Sequence, residues 1–281
     1  MKVHLDCFPC FLKQALIALR LSTNDETVQE HILKSVLDDI KRADTSQPPA
    51  YTTTFIHRTI RQLLGRDPFK GIKSEYNQIA LGLYPSLRTI IRESPDPLQT
   101  STRLAIAGNI IDFGIFTSID IDGTIKRSLD NQLAVDDYGD FRNAVGASDE
   151  ILYITDNSGE IIFDRLLVET LISLGKNVIV AVKGAPVIND ATIEDAIECG
   201  LTHVCNVIDN GSEAVGTILQ WTSSKFQETF NNAQLIISKG QGNFETLLGT
   251  RENIFFLFQS KCHVVSQELV LPIGSMILKK S

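Results

Sequence analysis

The second half of the chain alternates short apolar segments with longer amphipathic ones, and this rhythm restricts the fold more than any other feature of the sequence. The apolar segments, rich in β-branched and aromatic residues, are 151–155, 177–183, 203–208, 233–239 and 253–260. Amphipathic segments predicted to be helices cover residues 160–174, 190–199 and 243–249. Strands that are apolar throughout are typical of parallel sheets covered on both faces. The sequence therefore predicts an α/β domain with a doubly wound, mostly parallel sheet.

The first part of the chain is predicted to be helical instead, because its apolar residues recur at helical spacing. Pro85 is expected to break or kink one long helix, and a capped helix is expected to start near Pro97. We therefore predict a helical N-terminal domain over residues 1–108 and an α/β sheet domain over residues 109–281. Within the second domain, residues 109–150 are predicted to link the two parts.

Composition and charge exclude several classes of protein. The net charge of −8, from 26 basic and 34 acidic residues, provides no electrostatic footprint for nucleic acid, so no such partner is expected. No segment is long and apolar enough to predict a membrane span, and the first residues, which include Asp6 and Lys13, do not resemble a signal peptide. Five cysteines in 281 residues are too few for a disulfide framework, which predicts a reduced, cytoplasmic location. The oligomeric state is not predicted.

Oxygen-bearing side chains follow the predicted strands, at the edge where an open parallel sheet binds its ligands. Asp156 and Asn157 come directly after the first strand, and Asp190 lies in the segment after the second. Carboxylate and amide oxygens are the ligands that Mg²⁺ and Mn²⁺ prefer. We therefore predict these three residues as metal ligands, and the two aspartates also as catalytic residues.

Positive charge and backbone N–H groups occur at the same strand ends. Lys183 follows the second strand, and the segment KGQGN, residues 239–243, places N–H groups at the predicted start of a helix, where they can hold an anion. The residues predicted to bind a phosphate group are Lys239, Gly240, Asn243 and Lys261. A metal, lysines and an anion cradle are what phosphoryl transfer to water requires.

The same residues also have simpler explanations, which the sequence leaves open. Asp156, with Glu160, fits the N-terminal cap of the following helix, and Asp190 fits a cap or a first-turn position. The glycines fit ordinary loops, and the lysines fit a solvated surface. The metal site is favoured because polar clusters follow five consecutive predicted strands.

The ordered segments DNSGE, VKGAPVINDAT, SKGQGNFE and KC resemble the damage-control phosphatases, the family built on domain of unknown function 89. The N-terminal Cys-x-x-Cys, here CFPC, and the segment AGNIIDFG at residues 107–114 resemble its prokaryotic branch. The resemblance covers nearly the whole chain. It implies an α/β sheet domain with a helical N-terminal part, and a metal-dependent phosphatase for small phosphorylated metabolites such as sugar phosphates.

The resemblance also assigns roles to individual residues. It implies that Asp156, Asn157 and Asp190 bind the metal, and that Lys261 binds the substrate phosphate. It further implies a substrate contact by Asn109, in AGNIIDFG. The implied cofactor is a divalent cation, Mg²⁺ or Mn²⁺ first, with Co²⁺ or Ni²⁺ as other candidates. Whether Asp156 acts as a nucleophile or positions a water molecule is left open.

Three other functions remain open. The segment SIDIDGTIKRS contains Asp120 in the nucleophile motif of haloacid-dehalogenase-type phosphatases, but the five residues before it, IFTSI, are interrupted by Thr117 and Ser118 and do not fit the buried strand that this motif requires. We therefore expect Asp120 not to be a nucleophile. A carboxyl methyltransferase, an activity proposed for eukaryotic relatives of the family, would need a Gly-x-Gly loop after the first strand, and DNSGE has one glycine. The third alternative is a metabolite-binding protein without catalytic activity.

Two further features have ordinary predicted roles. Cys7 and Cys10 form one Cys-x-x-Cys without a second pair, so we predict a buried structural pair at a helix start rather than a zinc or redox site. His57 and Arg58 lie in a helical segment and are predicted on its solvated face.

Overall fold

The computed structural model describes residues 1–110 and 121–281. The described N-terminal part contains the helices α1 (Cys7–Ser22), α2 (Glu26–Lys41), α3 (Pro49–Leu64), α4 (Lys70–Glu93) and α5 (Pro97–Ile110). Local signals set their ends. Asp25 caps α2 by accepting hydrogen bonds from the backbone N–H groups of Thr27 and Val28, and Gly65, at φ 66°, ends α3 in the left-handed conformation. The first three helices enclose an apolar cluster of their own around Phe11 and Ile60.

The rest of the described chain alternates strands and helices. Its elements are α6 (Ile121–Asp130), β1 (Val135–Asp136), α7 (Tyr138–Ala147), β2 (Glu150–Ile154), α8 (Glu160–Ser173), β3 (Asn177–Val182), α9 (Ile193–Glu198), β4 (Asn206–Asp209), α10 (Ser224–Asn232), β5 (Leu235–Lys239), α11 (Gln241–Leu247), β6 (Ile254–Gln259), α12 (His263–Leu269) and β7 (Met276–Lys280). Short 3₁₀ helices cover Leu201–His203 and Leu219–Trp221.

The strands form one sheet in the order β1-β7-β6-β5-β2-β3-β4. All neighbouring pairs are parallel except β6 and β7. From the central β2 the chain winds outward through β3 and β4, and then returns to β5 on the other side of β2. The predicted doubly wound, mostly parallel α/β fold is confirmed. Its topological switch point lies between β2 and β5, which is where this kind of sheet binds ligands.

Both faces of the sheet are buried, as the apolar strands predicted. In β2, Ile151 and Tyr153 belong to one apolar cluster, whereas Leu152 and Ile154 belong to another on the opposite face. Helices α4, α5 and α8 contribute to the first cluster, and α10, α11 and α12 contribute to the second. This two-sided burial stabilises β2 and fixes the position of the residues that follow it.

The predicted division into two domains near residue 108 stays a prediction. Helices α4 and α5 share the apolar cluster of α8 and the sheet, through residues such as Leu87 and Leu104. The described part of the predicted linking region, residues 121–150, contains two helices and β1, which pairs with β7.

Three local expectations were wrong: a helix break at Pro85, a solvated His57 and a buried pair of Cys7 and Cys10. Helix α4 continues through Pro85, because Leu87 and Ile91 beyond the proline are buried in the main core and hold the helix there. His57 is buried, with its ring packed near Phe69 between helices of the N-terminal part. Of the cysteine pair only Cys7 is buried.

In the part of the chain that the structure describes, we find no helix long and apolar enough to cross a membrane.

Candidate metal and phosphate site

The three predicted metal ligands lie together at the switch point of the sheet. Asp156 follows β2, and a main-chain bridge pairs Asn157 with Asp190, which arrives in the loop after β3. The backbone N–H of Ala191 donates to the carbonyl oxygen of Asp156 at 2.8 Å, and this bond fixes the two segments to each other. Residues 34 positions apart in sequence are thus joined because β2 and β3 are neighbouring parallel strands.

Asp156 is a half-buried carboxylate in a charged environment. Its Oδ2 accepts hydrogen bonds from the side-chain amides of Asn109, at 3.1 Å, and Asn157, at 2.8 Å. Burial, followed by the negative charges of Glu160 and Asp190, raises the pKa of Asp156 well above its usual value. A cation bound here would offset these same effects, because it stabilises the ionised carboxylate.

Two lysines oppose that rise in the pKa of Asp156. The charges of Lys261 and Lys183 both lower it, so both ammonium groups lie within electrostatic range of the carboxylate. Lys261, on the exposed loop after β6, is well placed for a ligand that arrives from solvent. Lys183 is buried and also donates to the backbone carbonyl of Gly216.

Asp190 is a buried carboxylate whose main partner is Lys183. Its Oδ2 lies 3.3 Å from the Lys183 ammonium, and beyond this ion pair it accepts no hydrogen bond from any residue that the structure describes. Burial raises the pKa of Asp190, while Lys183 opposes the shift. A buried carboxylate oxygen with so few partners can accept a cation.

The donor set suits a hard divalent cation. It offers carboxylate oxygens from Asp156 and Asp190 and an amide oxygen from Asn157, the ligand types that Mg²⁺ and Mn²⁺ bind. Within residues 1–110 and 121–281, no three His, Cys, Asp or Glu side chains come together as a complete metal site. A cation bound here would therefore need the amide oxygen of Asn157 as a third protein ligand, and waters or substrate oxygens would supply the remaining positions.

The predicted phosphate ligand Lys239 requires a correction. Its side chain is fully buried, and its ammonium group contacts Glu160 Oε1 at 2.6 Å, Asp164 Oδ1 at 2.5 Å and the Ala105 carbonyl oxygen at 2.8 Å. Burial alone would lower the pKa of Lys239, but the two carboxylates outweigh it and raise it to about 12. Lys239 is thus a charged group buried beneath the site, and its ammonium group is bonded to protein atoms.

Other residues predicted to bind substrate also have structural contacts. Asn243 is fully buried and donates to the carbonyl oxygens of Thr155 and Lys239 at 3.1 and 2.7 Å, which joins the ends of β2 and β5. The Gly240 N–H donates to the Leu257 carbonyl, so this amide of KGQGN is engaged within the sheet. Asn109 is buried, and its side chain contacts Asp156 instead of facing solvent.

Helix capping does not explain the two aspartates. The N-terminal cap of α8 is Gly159, and no side chain caps that helix. Helix α9 is capped by Thr192, which forms a reciprocal capping box with Asp195. Asp156 and Asp190 are therefore available for another role. The other candidate nucleophile, Asp120, lies outside the described residues.

Two buried residues that contact this site, Asn77 and Glu160, were not identified as site residues from the sequence. Asn77, in α4, accepts a hydrogen bond from the Gly159 N–H at 2.7 Å and donates to Asp195 at 3.0 Å. It thereby connects the starts of the helices that follow β2 and β3. Glu160 is 1% exposed and contacts both Asn109 and Asn157. The one sequence signal for Glu160 was its place in DNSGE, which also fits a capping residue.

Comparison with known proteins identifies the family of this chain. The family model of the damage-control phosphatase ARMT1-like domain matches residues 3–277. A damage-control phosphatase from Pyrococcus horikoshii is 33% identical over 286 residues, which cover 100% of this chain and 99% of that protein. Another from Archaeoglobus fulgidus is 30% identical over 287 residues, which cover 99% of each chain.

A solved structure agrees as well. The crystal structure of a DUF89 family protein from Pyrococcus horikoshii matches with a TM-score of 0.90 at 34% identity, and the match covers 100% of this chain and 99% of that one. The resemblance found in the sequence motifs is thereby confirmed. This chain belongs to the damage-control phosphatase ARMT1-like domain family.

Proposed function

We propose that this chain is a metal-dependent phosphatase that hydrolyses small phosphorylated metabolites such as sugar phosphates. The observation that carries the proposal is the meeting of Asp156, Asn157 and Asp190 at the switch point of the sheet. Relatives named damage-control phosphatase, at 30% and 33% identity over nearly the full chain, support the reaction class.

The residues have distinct roles in this proposal. Asp156, Asn157 and Asp190 hold a divalent cation, Mg²⁺ or Mn²⁺ first, with Co²⁺ and Ni²⁺ as other candidates. When bound, the cation withdraws electron density from the substrate phosphate. Lys261 binds the phosphate from the exposed side, and Lys183 balances the charge of Asp190 from the buried side.

The experiment is a screen of phosphorylated metabolites with protein that has been treated with EDTA and then dialysed. Released phosphate is measured without metal and after addition of Mg²⁺, Mn²⁺, Co²⁺ or Ni²⁺. We expect release only with metal, and none above background from Asp156→Ala. The matched control is Asp209→Asn, which changes an exposed aspartate at the end of β4 and is expected to retain activity.

The same preparation separates the alternatives. Phosphate release that persists in EDTA would contradict the metal-dependent reaction. Loss of release in Asp120→Asn, together with a phosphoryl group trapped on Asp120 of the wild-type protein, would favour the haloacid-dehalogenase type of reaction. Methyl transfer from S-adenosylmethionine would favour the methyltransferase, and metabolite binding without turnover would favour a binding protein.

A further inference from the structure

Two side-chain amides and two carboxylates form a closed ring of hydrogen bonds beneath the candidate metal site. The Asn109 amide nitrogen donates to Asp156 Oδ2 at 3.1 Å and to Glu160 Oε2 at 2.9 Å. The Asn157 amide nitrogen donates to the same two oxygens, at 2.8 and 3.0 Å. A side-chain amide has two hydrogens, so each of these nitrogens uses both of them in the ring.

The ring determines which atoms face outward. Since both hydrogens of Asn157 are directed to Asp156 and Glu160, its Oδ1 lies on the opposite side of the amide group. Asp156 uses Oδ2 in the ring, which leaves Oδ1 on its other side. Each of these two predicted metal ligands therefore presents one oxygen away from the ring.

Glu160 can maintain this orientation because it is held as an acceptor. It is 1% exposed, and its other oxygen, Oε1, accepts a hydrogen bond from Lys239 at 2.6 Å. The ammonium group of Lys239 can only donate, and a carboxylate can only accept. The nitrogen of Asn157, not its oxygen, must therefore face Glu160.

Asn109 and Asn157 differ in what else fixes them. The Oδ1 of Asn109 accepts a hydrogen bond from the backbone N–H of Gln259 at 3.0 Å, so the sheet holds that amide independently. Within the described part of the chain, the side chain of Asn157 forms its hydrogen bonds with Asp156 and Glu160. Its orientation is thus the more sensitive of the two to a change at Glu160.

We infer that Glu160, held by Lys239, is a positioning residue that turns the Asn157 amide so that its oxygen faces the cation. This inference rests on the proposed function, because it assigns the metal site to the same residues. Partners that orient metal ligands typically change metal affinity by about 10–100-fold when they are replaced.

Glu160→Gln is the direct test, because it keeps the size of the side chain and removes its purely accepting character. Lys239 takes the glutamine oxygen, which leaves the glutamine NH₂ group facing the two donors of the ring. The Asn157 amide then turns its oxygen inward and its nitrogen toward the cation. Calorimetric titration of metal-free protein with Mn²⁺ is expected to show binding at least about tenfold weaker than wild type.

A double-mutant cycle separates orientation from general damage to the fold. In the Asn157→Asp background, either orientation presents an oxygen to Mn²⁺, and the new carboxylate can accept from the glutamine. Adding Glu160→Gln to Asn157→Asp is therefore expected to change Mn²⁺ affinity by less than about threefold. An equal loss in both backgrounds would overturn the inference, since a role confined to folding predicts that result.

Asp164→Asn is the matched control. Asp164 is buried and contacts the same Lys239 ammonium at 2.5 Å, but the hydrogen-bond ring does not include it. We expect this variant to lose stability yet keep Mn²⁺ affinity within about threefold of wild type. A tenfold loss here would show that any change near Lys239 has the same effect, and would overturn the specific role of Glu160.

The orientation is also measurable without metal. In wild type the two amide hydrogens of Asn157, assigned by NMR with Asn157→Asp as the reference, are expected to exchange slowly with solvent. In Glu160→Gln they are expected to exchange fast. Slow exchange in wild type and fast exchange in Glu160→Gln would support the effect of Glu160 on the orientation of Asn157. If wild type nevertheless bound no Mn²⁺, the proposed function would be disproved and this effect on orientation would stand. Equal exchange in both proteins would overturn the positioning role.

Discussion

Gly240 lies directly against the carboxylate of Asp156: a β-carbon added to Gly240 would lie 2.0 Å from Asp156 Oδ2. Gly240 follows β5 and Asp156 follows β2, so this contact joins the two strands on either side of the switch point. The backbone of Gly240 also has φ 82° and ψ 157°, a conformation that is nearly confined to glycine.

Gly240→Ala is therefore expected to displace Asp156 and abolish Mn²⁺ binding. The matched control is Gly249→Ala, because Gly249 also has a positive φ, 76°, but an added β-carbon there meets nothing within 4 Å. We expect Gly240→Ala to destabilise the fold by roughly 1–3 kcal/mol more than the control does, as measured by urea unfolding. Equal effects of the two substitutions on metal binding would show that the close approach has no role.

Asn157→Asp is expected to separate metal binding from phosphate binding. It adds a negative charge beside Asp156 and Glu160, so Mn²⁺ affinity is expected to hold or increase while a phosphate is repelled. An added charge at this range costs on the order of 1–2 kcal/mol, which corresponds to about a tenfold rise in KM. Calorimetry and steady-state kinetics on the same preparation test this. An unchanged KM would argue against a phosphate next to Asn157.

Lys261→Ala is expected to raise KM for phosphorylated substrates by at least about tenfold, because charge-assisted contacts to phosphate are strong. Mn²⁺ affinity is expected to change little, since lysine is not a metal ligand. Lys225→Ala, which changes an exposed lysine in α10, is the control and is expected to alter neither value. A rise in KM of the same size in both variants would indicate a general charge effect.

The buried side chain of His57 is expected to make the folded protein less stable at acidic pH. Burial lowers its pKa from 6.5 to about 4, and its Nε2 has no hydrogen-bond partner among the described residues. A group whose pKa is lower in the folded state binds protons preferentially when unfolded. Stability is therefore complete above pH 6.5 and falls as the pH drops from there to about 4.

By pH 5 the loss due to His57 is expected to reach about 2 kcal/mol. Urea unfolding at pH 7.5 and pH 5 measures it, with His57→Gln as the comparison, since that variant lacks the titrating group. The loss in the free energy of unfolding between pH 7.5 and pH 5 is expected to be about 2 kcal/mol smaller in the variant than in wild type. An identical pH dependence in both proteins would contradict the assignment.

The central part of the sheet was predictable because its strands are apolar throughout, and a parallel strand buried on both faces requires that pattern. The strand β1, at one edge of the sheet, and its neighbour β7 were not predicted. β1 has two residues, and β7 ends in the charged pair Lys279 and Lys280, so neither shows a distinct pattern. Their pairing depends on contacts that are distant in sequence.

The meeting of Asp156, Asn157 and Asp190 followed from a general rule about strand ends. That rule did not predict the burial of Lys239. The alternation of side chains along β5 did indicate it, because every second residue of a strand faces the same side of the sheet. Lys239 shares a sheet face with Leu235 and Ile237, the face covered by α5 and α8.

The role of Glu160 could not be predicted from local sequence. A buried glutamate needs a cationic partner, and its partner, Lys239, is 79 positions away. Only the closure of the sheet at the switch point brings the two together. Local sequence therefore located the candidate ligands better than the buried groups that contact them.

The most direct test of the account is Mn²⁺ binding to metal-free protein, measured by calorimetry on wild type and Asp190→Asn. Asp209→Asn serves as the control, and thermal unfolding confirms that each variant is folded. We predict that wild type binds Mn²⁺, that Asp190→Asn binds it at least about tenfold more weakly, and that the control is unchanged. Unchanged Mn²⁺ affinity in a folded Asp190→Asn variant would contradict the metal site on which the proposed phosphatase depends.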